Sequence, residues 1–254
     1  MRLPRASGLR RPGRSMRLSE ARDGRATASV VTVVLAGTLH LIQTVTVAST
    51  VVALAAERSR WAPAPAPERS LLESGLDVVA SVAMLAAHVV SLAWLLQARR
   101  AAETLAPGYR HARGPTWVWL AWVVPGAALW FPYQVVRDVH AASRQAAGLT
   151  GPEGRTRSLV TWWVCWLCFV MSSAALTWTV ILLALVVPGD PLLVGMLPML
   201  LTGVGLAAVA AGLAWVVVVR EVAVAQRLAR VSAMQRSRWI GRSAGTSGPG
   251  TSVR

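Results

Sequence analysis

The chain has no lysine: all 26 of its basic residues are arginine, set against 11 acids and four histidines. Much else that soluble chemistry is built on is also scarce. Two cysteines, Cys165 and Cys168, lie inside an apolar run and give no disulfide framework. Two tyrosines and two phenylalanines leave tryptophan, with twelve, as the dominant aromatic. Between the tails no hydrophilic segment is long enough to fold as a soluble domain. Nucleophile–base–orienter sets, Gly-rich phosphate loops and zinc-ligand spacings are missing too. The expectation is therefore a protein that is not an enzyme and holds no cofactor or metal. The formal net charge of +15 does not point to nucleic acid. The arginines flank apolar segments instead of alternating with stacking aromatics, so anionic lipid is the expected partner.

What the chain does have is apolar length. It is 54% hydrophobic, with a mean hydropathy of +0.50. A membrane span needs about 20 consecutive apolar residues. Four segments meet that need, over about 30–53, 77–96, 159–187 and 192–219. Residues 1–27 hold eight arginines and two acids with scattered Gly, Pro and Ser, and are expected to be a disordered basic arm. Residues 28–240 form the membrane domain, with a helical stem continuing from Arg220 to about Trp239, and 241–254 a disordered polar tail.

The stretch from Thr116 to His140, TWVWLAWVVPGAALWFPYQVVRDVH, organises the rest. By length it could cross a bilayer. Pro125-Gly126 interrupts it near the middle, because proline removes a donor and clashes with the preceding turn. Pro132 then suits the first turn of a new helix. The first part is roughly 14 Å of helix at 1.5 Å per residue, about half of a ~30 Å hydrocarbon core. The second part is amphipathic. Val135, Val136, Val139, Ala142 and Ala146 share one face, and Gln134, Arg137, Asp138, Ala141, Arg144 and Gln145 the other. Such a helix tends to lie in the interface. Residues 116–146 are thus expected to dip in as a re-entrant hairpin and return as an interfacial helix. The fold class is all-α: a polytopic membrane bundle of four transmembrane helices plus these two elements.

Charge chooses the orientation, since arginine-rich loops stay cytoplasmic. Four spans place the arm, the loop 97–115 with four arginines, the linker 137–158 and the tail with seven arginines on one side. A fifth span would put the tail outside. Both termini are therefore expected in the cytoplasm of a bacterium, the protein lying in its inner membrane.

Three segments carry a resemblance. They are AWLLQARRAAETL (Ala93–Leu105), VVPGAALWFPYQVVRDVH (Val123–His140) and TWWVCWL (Thr161–Leu167). They resemble the bacterial, mainly actinobacterial, membrane family called domain of unknown function 4328, over roughly Val30–Val219. Arg99, Arg100, Pro125, Pro132, Tyr133, Arg137, Asp138, Trp162 and Trp163 fit its structural motif. Ala101 and Ala128 stand where the family often has asparagine, and His140 where it has tryptophan. The resemblance implies a membrane protein and no particular activity.

The candidate sites follow from polar groups in costly places. His40 and His88 lie within spans, at depths of about 15 and 12 Å from the inner ends. As a pair they are candidates to bind haem or a metal or to pass protons, against the plainer reading of an interhelical hydrogen bond. Cys165 and Cys168 share a face among tryptophans, which favours inert buried thiols. Gly203, Ala207 and Ala211 recur every four residues, suiting close helix packing within the chain or in a homo-oligomer. Arg137 and Asp138, adjacent in sequence, point about 100° apart and are expected to take other partners, Asp138 pairing with Arg99 or Arg100. The functional expectation is a non-enzymatic scaffold or modulator of membrane partners. A small transporter or channel component comes second, and a haem-linked redox protein through His40 and His88 third.

Overall fold

The computed structural model describes residues 26–38, 40, 42–44, 46–48, 71–124, 126–149, 157–187 and 190–246. Every regular element among the described residues is helical. They are α1 (Ala26–Ala48), α2 (Leu71–Leu105), α3 (Trp117–Val123), a 3-10 turn (Ala127–Leu129), α4 (Phe131–Ala146), α5 (Arg157–Leu185) and α6 (Pro191–Thr246). Four of these, α1, α2, α5 and α6, are long and apolar enough to cross a membrane. At 1.5 Å per residue, α5 alone is about 43 Å long, against ~30 Å of hydrocarbon.

The helices run further than apolar length alone requires. α2 continues through Arg99 and Arg100 to Leu105, so half of the segment expected as loop is helix. α1 already begins at Ala26, and α6 reaches Thr246, which makes 241–246 helix and not tail. The physical reason at the ends of α2 and α6 is cover: Ala98, Ala101 and Ala102 of α2 and Val222, Ala225 and Ala229 of α6 are buried. Residues 1–25 and 247–254, and with them the expected disorder of the arm and the last part of the tail, lie outside the described residues.

Local chemistry fixes the ends. Asp190 caps α6 by accepting from the Leu193 N–H at 3.0 Å, and Pro191 takes the first helical position. α4 starts at Phe131-Pro132 as expected and stops at Gly148, whose φ of +74° is the left-handed value that ends helices. There the Leu149 N–H reaches back to the Arg144 carbonyl at 2.9 Å, and the Gly148 N–H to that of Gln145 at 3.0 Å.

The core lies where α2, α3, α4, α5 and α6 meet: Leu95, Val118, Val135, Val136, Val139, Trp162, Trp163, Trp215, Val218 and Val222 are all buried. α6 packs against α2, α4 and α5. The remaining apolar side chains face outward, among them Val82 and Leu85 on α2, Trp178 on α5 and Met199, Leu206 and Leu213 on α6. That is the pattern of a bundle whose solvent is lipid. One end gathers the start of α1, the end of α2, α4, the start of α5 and the 220–230 stretch of α6. Ala26, Trp94, Ala98, Gln226 and Arg230 line one small cleft there, and Ser158 of α5 bonds Glu221 of α6.

Candidate functional site: a polar clamp and an aromatic cavity

The segment from Trp117 to Phe131 leaves and returns. Helix α3 ends at Val124, which is extended (ψ 118°), and the 3-10 turn follows Gly126. Gly126 has φ +77° and ψ −51°, backbone that a residue with a Cβ rarely adopts. Pro125 lies outside the described residues. The reversal brings the Phe131 ring to 4.6 Å from that of Trp117, at the other end of α3. The short helix and break are therefore as expected. The cover of α4 is different: its apolar residues Val135, Val136, Val139 and Ala142 pack into the protein against α2 and α6.

Asp138 corrects two expectations. It is 3% exposed, not on an open polar face, and it does not pair with Arg99 or Arg100. Its Oδ1 accepts from Nη2 of its neighbour Arg137 at 3.2 Å, and its Oδ2 from the backbone N–H of Ala112 at 2.6 Å. A long arginine side chain can curl back along the helix surface, so sequence neighbours pair despite pointing apart. Arg99 reaches the same loop from the other side. Its Nη2 donates to the Arg113 carbonyl, its Nη1 to the Gly114 carbonyl at 3.1 Å, and its Nε to Glu103 at 2.9 Å. Each guanidinium nitrogen thus makes one hydrogen bond on a residue only 3% exposed, the condition under which a buried charge is tolerated. Arg113 then donates to Gln134 Oε1 at 2.9 Å and stacks over the Phe131 ring at 3.9 Å. Arg100 is exposed one residue further along α2.

The clamp extends through residues that motif reading missed. His140 Nε2 lies 2.9 Å from Glu221 Oε2, which also accepts from Ser158 at 2.8 Å. Gln226 donates to the Ala98 carbonyl at 2.8 Å and to Ser143 Oγ at 3.0 Å. These bonds tie α4, α5, α6 and α2 together. The available signal was that His140 and Ser143 share the buried face of α4 with Val136 and Val139. Nearby in the loop, burial holds the His111 imidazole below its usual range. Arg99 adds to this, and Glu103 and Asp138 only partly counter it.

The aromatic motif residues brace the other side. Tyr133 packs 5.7 Å from Trp163, joining α4 to α5, and Trp162 lies 5.2 Å from Trp215, joining α5 to α6. Pro132 is buried at the start of α4. His40 and His88 sit against different rings: His40 against Phe169 at 6.3 Å, His88 against Trp122 and Trp166 at 6.2 and 5.6 Å. Trp166 and Phe169 are themselves 5.7 Å apart. Among the described residues no cluster of three His, Cys, Asp or Glu could hold a metal. Cys168 is exposed and Cys165 half-buried, not the buried pair expected. Ala211 is buried, and its neighbour Gly212 would set a Cβ 3.2 Å from Val33 of α1. That part of the small-residue stripe packs within the chain, whereas Gly203 has open space beside it.

Above the clamp, between α1, α2, α3, α5 and α6, lies a cavity walled by Trp122, Trp162, Trp166 and Trp215, with His88 and Ser91 among its few polar groups.

Residues 62–220 match the family described as Domain of unknown function (DUF4328). This is well over half of the chain, and the protein belongs to that family. No curated protein and no solved structure matches it.

Proposed function

We propose that this protein is a non-enzymatic scaffold or modulator in a bacterial inner membrane, its clamped end and both termini in the cytoplasm. The observation that carries this reading is the use made of the motif residues. Arg99 and Asp138 both bond the backbone of one loop, Ala112–Gly114, and their remaining bonds go to neighbours within the chain, Glu103 and Arg137. Groups so engaged build a rigid surface instead of meeting a substrate. Around them Arg100, Arg110, Arg220, Arg227 and Arg236 are exposed. They offer positive charge to anionic lipid head groups and to acidic faces of partner proteins. With that end inside, the arginine bias is satisfied. α3 and its turn then dip into the membrane as a re-entrant hairpin, and α4 lies at the interface. Gly203 and Ala207 leave room for a second copy.

The test is a photo-crosslinking residue at Arg100 and at Arg227 in intact cells. A discrete protein adduct, lost when the neighbouring arginines are reversed to glutamate, is expected. Adducts that are diffuse and indifferent to charge reversal would sink the reading. Reporter fusions at Gly248 and within 62–67 should report opposite sides of the membrane. A small transporter is the second reading, favoured by the cavity between five helices. Solute flux in proteoliposomes above that of protein-free vesicles would support it.

A further inference from the structure

The cavity wall holds three indole nitrogens, of Trp122, Trp166 and Trp215, that are buried and have no hydrogen-bond partner among the described residues. This is unusual chemistry for one small space. A buried N–H without an acceptor loses its full interaction with water. Trp215 is 6% exposed, and no lining residue offers its indole an acceptor. Trp122 meets Trp166 edge to face, with ring centroids at 5.2 Å. An N–H over a ring face is a weak contact and does not replace a hydrogen bond. Close by, between α1 and α2, the hydroxyls of Ser29 and Ser91 bond each other at 3.2 Å.

The cavity is otherwise apolar and slim. A water-sized sphere has about 90 Å³ in which to move, room for several methylene groups in file and far too little for a haem. It lies at the depth of the spans, flanked by Val33 and Gly37 of α1 and Met84 of α2. Gly37 borders it with nothing within 4 Å of where a Cβ would stand.

From these features we infer that the cavity binds a membrane lipid by its chain, with a carbonyl oxygen accepting from the indole N–H groups. The apolar walls take the methylenes, and the indoles supply donors that hydrocarbon alone leaves unused. Acyl esters and chain-bearing ketones share this chemistry. The inference does not depend on the scaffold reading. The two fail separately, because one concerns the exposed arginines and the other the interior.

The test uses the full chain purified in mild detergent, with bound lipid extracted and measured by mass spectrometry. Two variants are compared with wild type. Gly37→Leu fills the cavity from a position with open space. Trp215→Phe keeps an aromatic, apolar side chain, smaller than indole, and removes the donor. The wild type should retain a carbonyl-bearing lipid, Gly37→Leu more than five-fold less, and Trp215→Phe about five-fold less, the effect of one neutral hydrogen bond. The delipidated protein is then placed in nanodiscs with chain-brominated lipids. Ester lipid should quench tryptophan fluorescence more in wild type than in Gly37→Leu, and an ether analogue without the carbonyl should lose that excess. Free chain-bearing ketone added to ether-lipid nanodiscs distinguishes the second source. Should Gly37→Leu fail to fold, Trp215→Phe and the ether comparison decide. Equal lipid retention in wild type and Trp215→Phe, or equal quenching by ester and ether lipids, overturns the inference and leaves trapped water as the partner of the indoles.

Discussion

Two regions of the bundle treat buried polar groups in different ways. At the arginine-rich end, Arg99, Asp138, Gln226 and Ser143 are buried and each has a named partner. In the aromatic middle, three indole N–H groups are buried with none among the described residues. Both regions are dry. A dry polar group is costly unless bonded, and a satisfied network at one end specifies a single arrangement of helices. The contrast teaches that these four groups are answered within the chain, whereas the three indoles of the cavity are not. A structural account suffices for the clamp; the cavity calls for something further.

The comparison breaks most visibly at Asp138. Asp138→Ala strips the Ala112 N–H and the Arg137 guanidinium of their acceptor, and should cost about 2–4 kcal/mol, as for a buried charged hydrogen bond. The check is the melting temperature in detergent, against Arg110→Ala, an exposed loop residue expected to change little. Arg99→Met should cost nearly as much, and the double variant less than the sum, because both hold one loop. Gly126→Ala comes next, at about 1–3 kcal/mol from backbone strain alone, since nothing crowds the added methyl. Gln226→Leu should lose about 1 kcal/mol in the same melts.

The smallest effect is pH-dependent. His111 is held below its usual range by burial and by Arg99, so the unfolded chain binds its proton more readily. Stability should therefore fall as pH drops below about 6.5, until the folded-state value is passed. His111→Gln should flatten that slope. A slope unchanged by the substitution would remove His111 from the account.

How much of this was legible depends on whether a feature is local. Four spans, the break at Gly126 and the start of α4 at Pro132 follow from apolar length and from glycine and proline, which act on their own backbone. Arg99 and Asp138 were visible as charged groups of the motif, Asp138 expected to pair with Arg99 or Arg100. Their partners were not, because those are backbone groups of Ala112, Arg113 and Gly114, which carry no side-chain signature. The face of Asp138 was misjudged for a related reason. Helical spacing says which residues share a face, but α2 and α6 bury both flanks of α4, so the dry arc is wider than the apolar stripe. His140 and Glu221, 81 residues apart, met only through tertiary packing. The cavity had no sequence signal beyond an excess of tryptophan, since an unpartnered N–H shows only when its surroundings are known.

The central claim is that Asp138 and Arg99 hold the Ala112–Gly114 loop to the bundle by its backbone, and amide hydrogen exchange reads that directly. In wild type the Ala112 amide should exchange far more slowly than an unbonded loop amide. In Asp138→Ala it should approach the unprotected rate, while amides in the middle of α5 keep their protection. Fast exchange at Ala112 in the wild type, or protection that survives the loss of Asp138, would contradict the clamp.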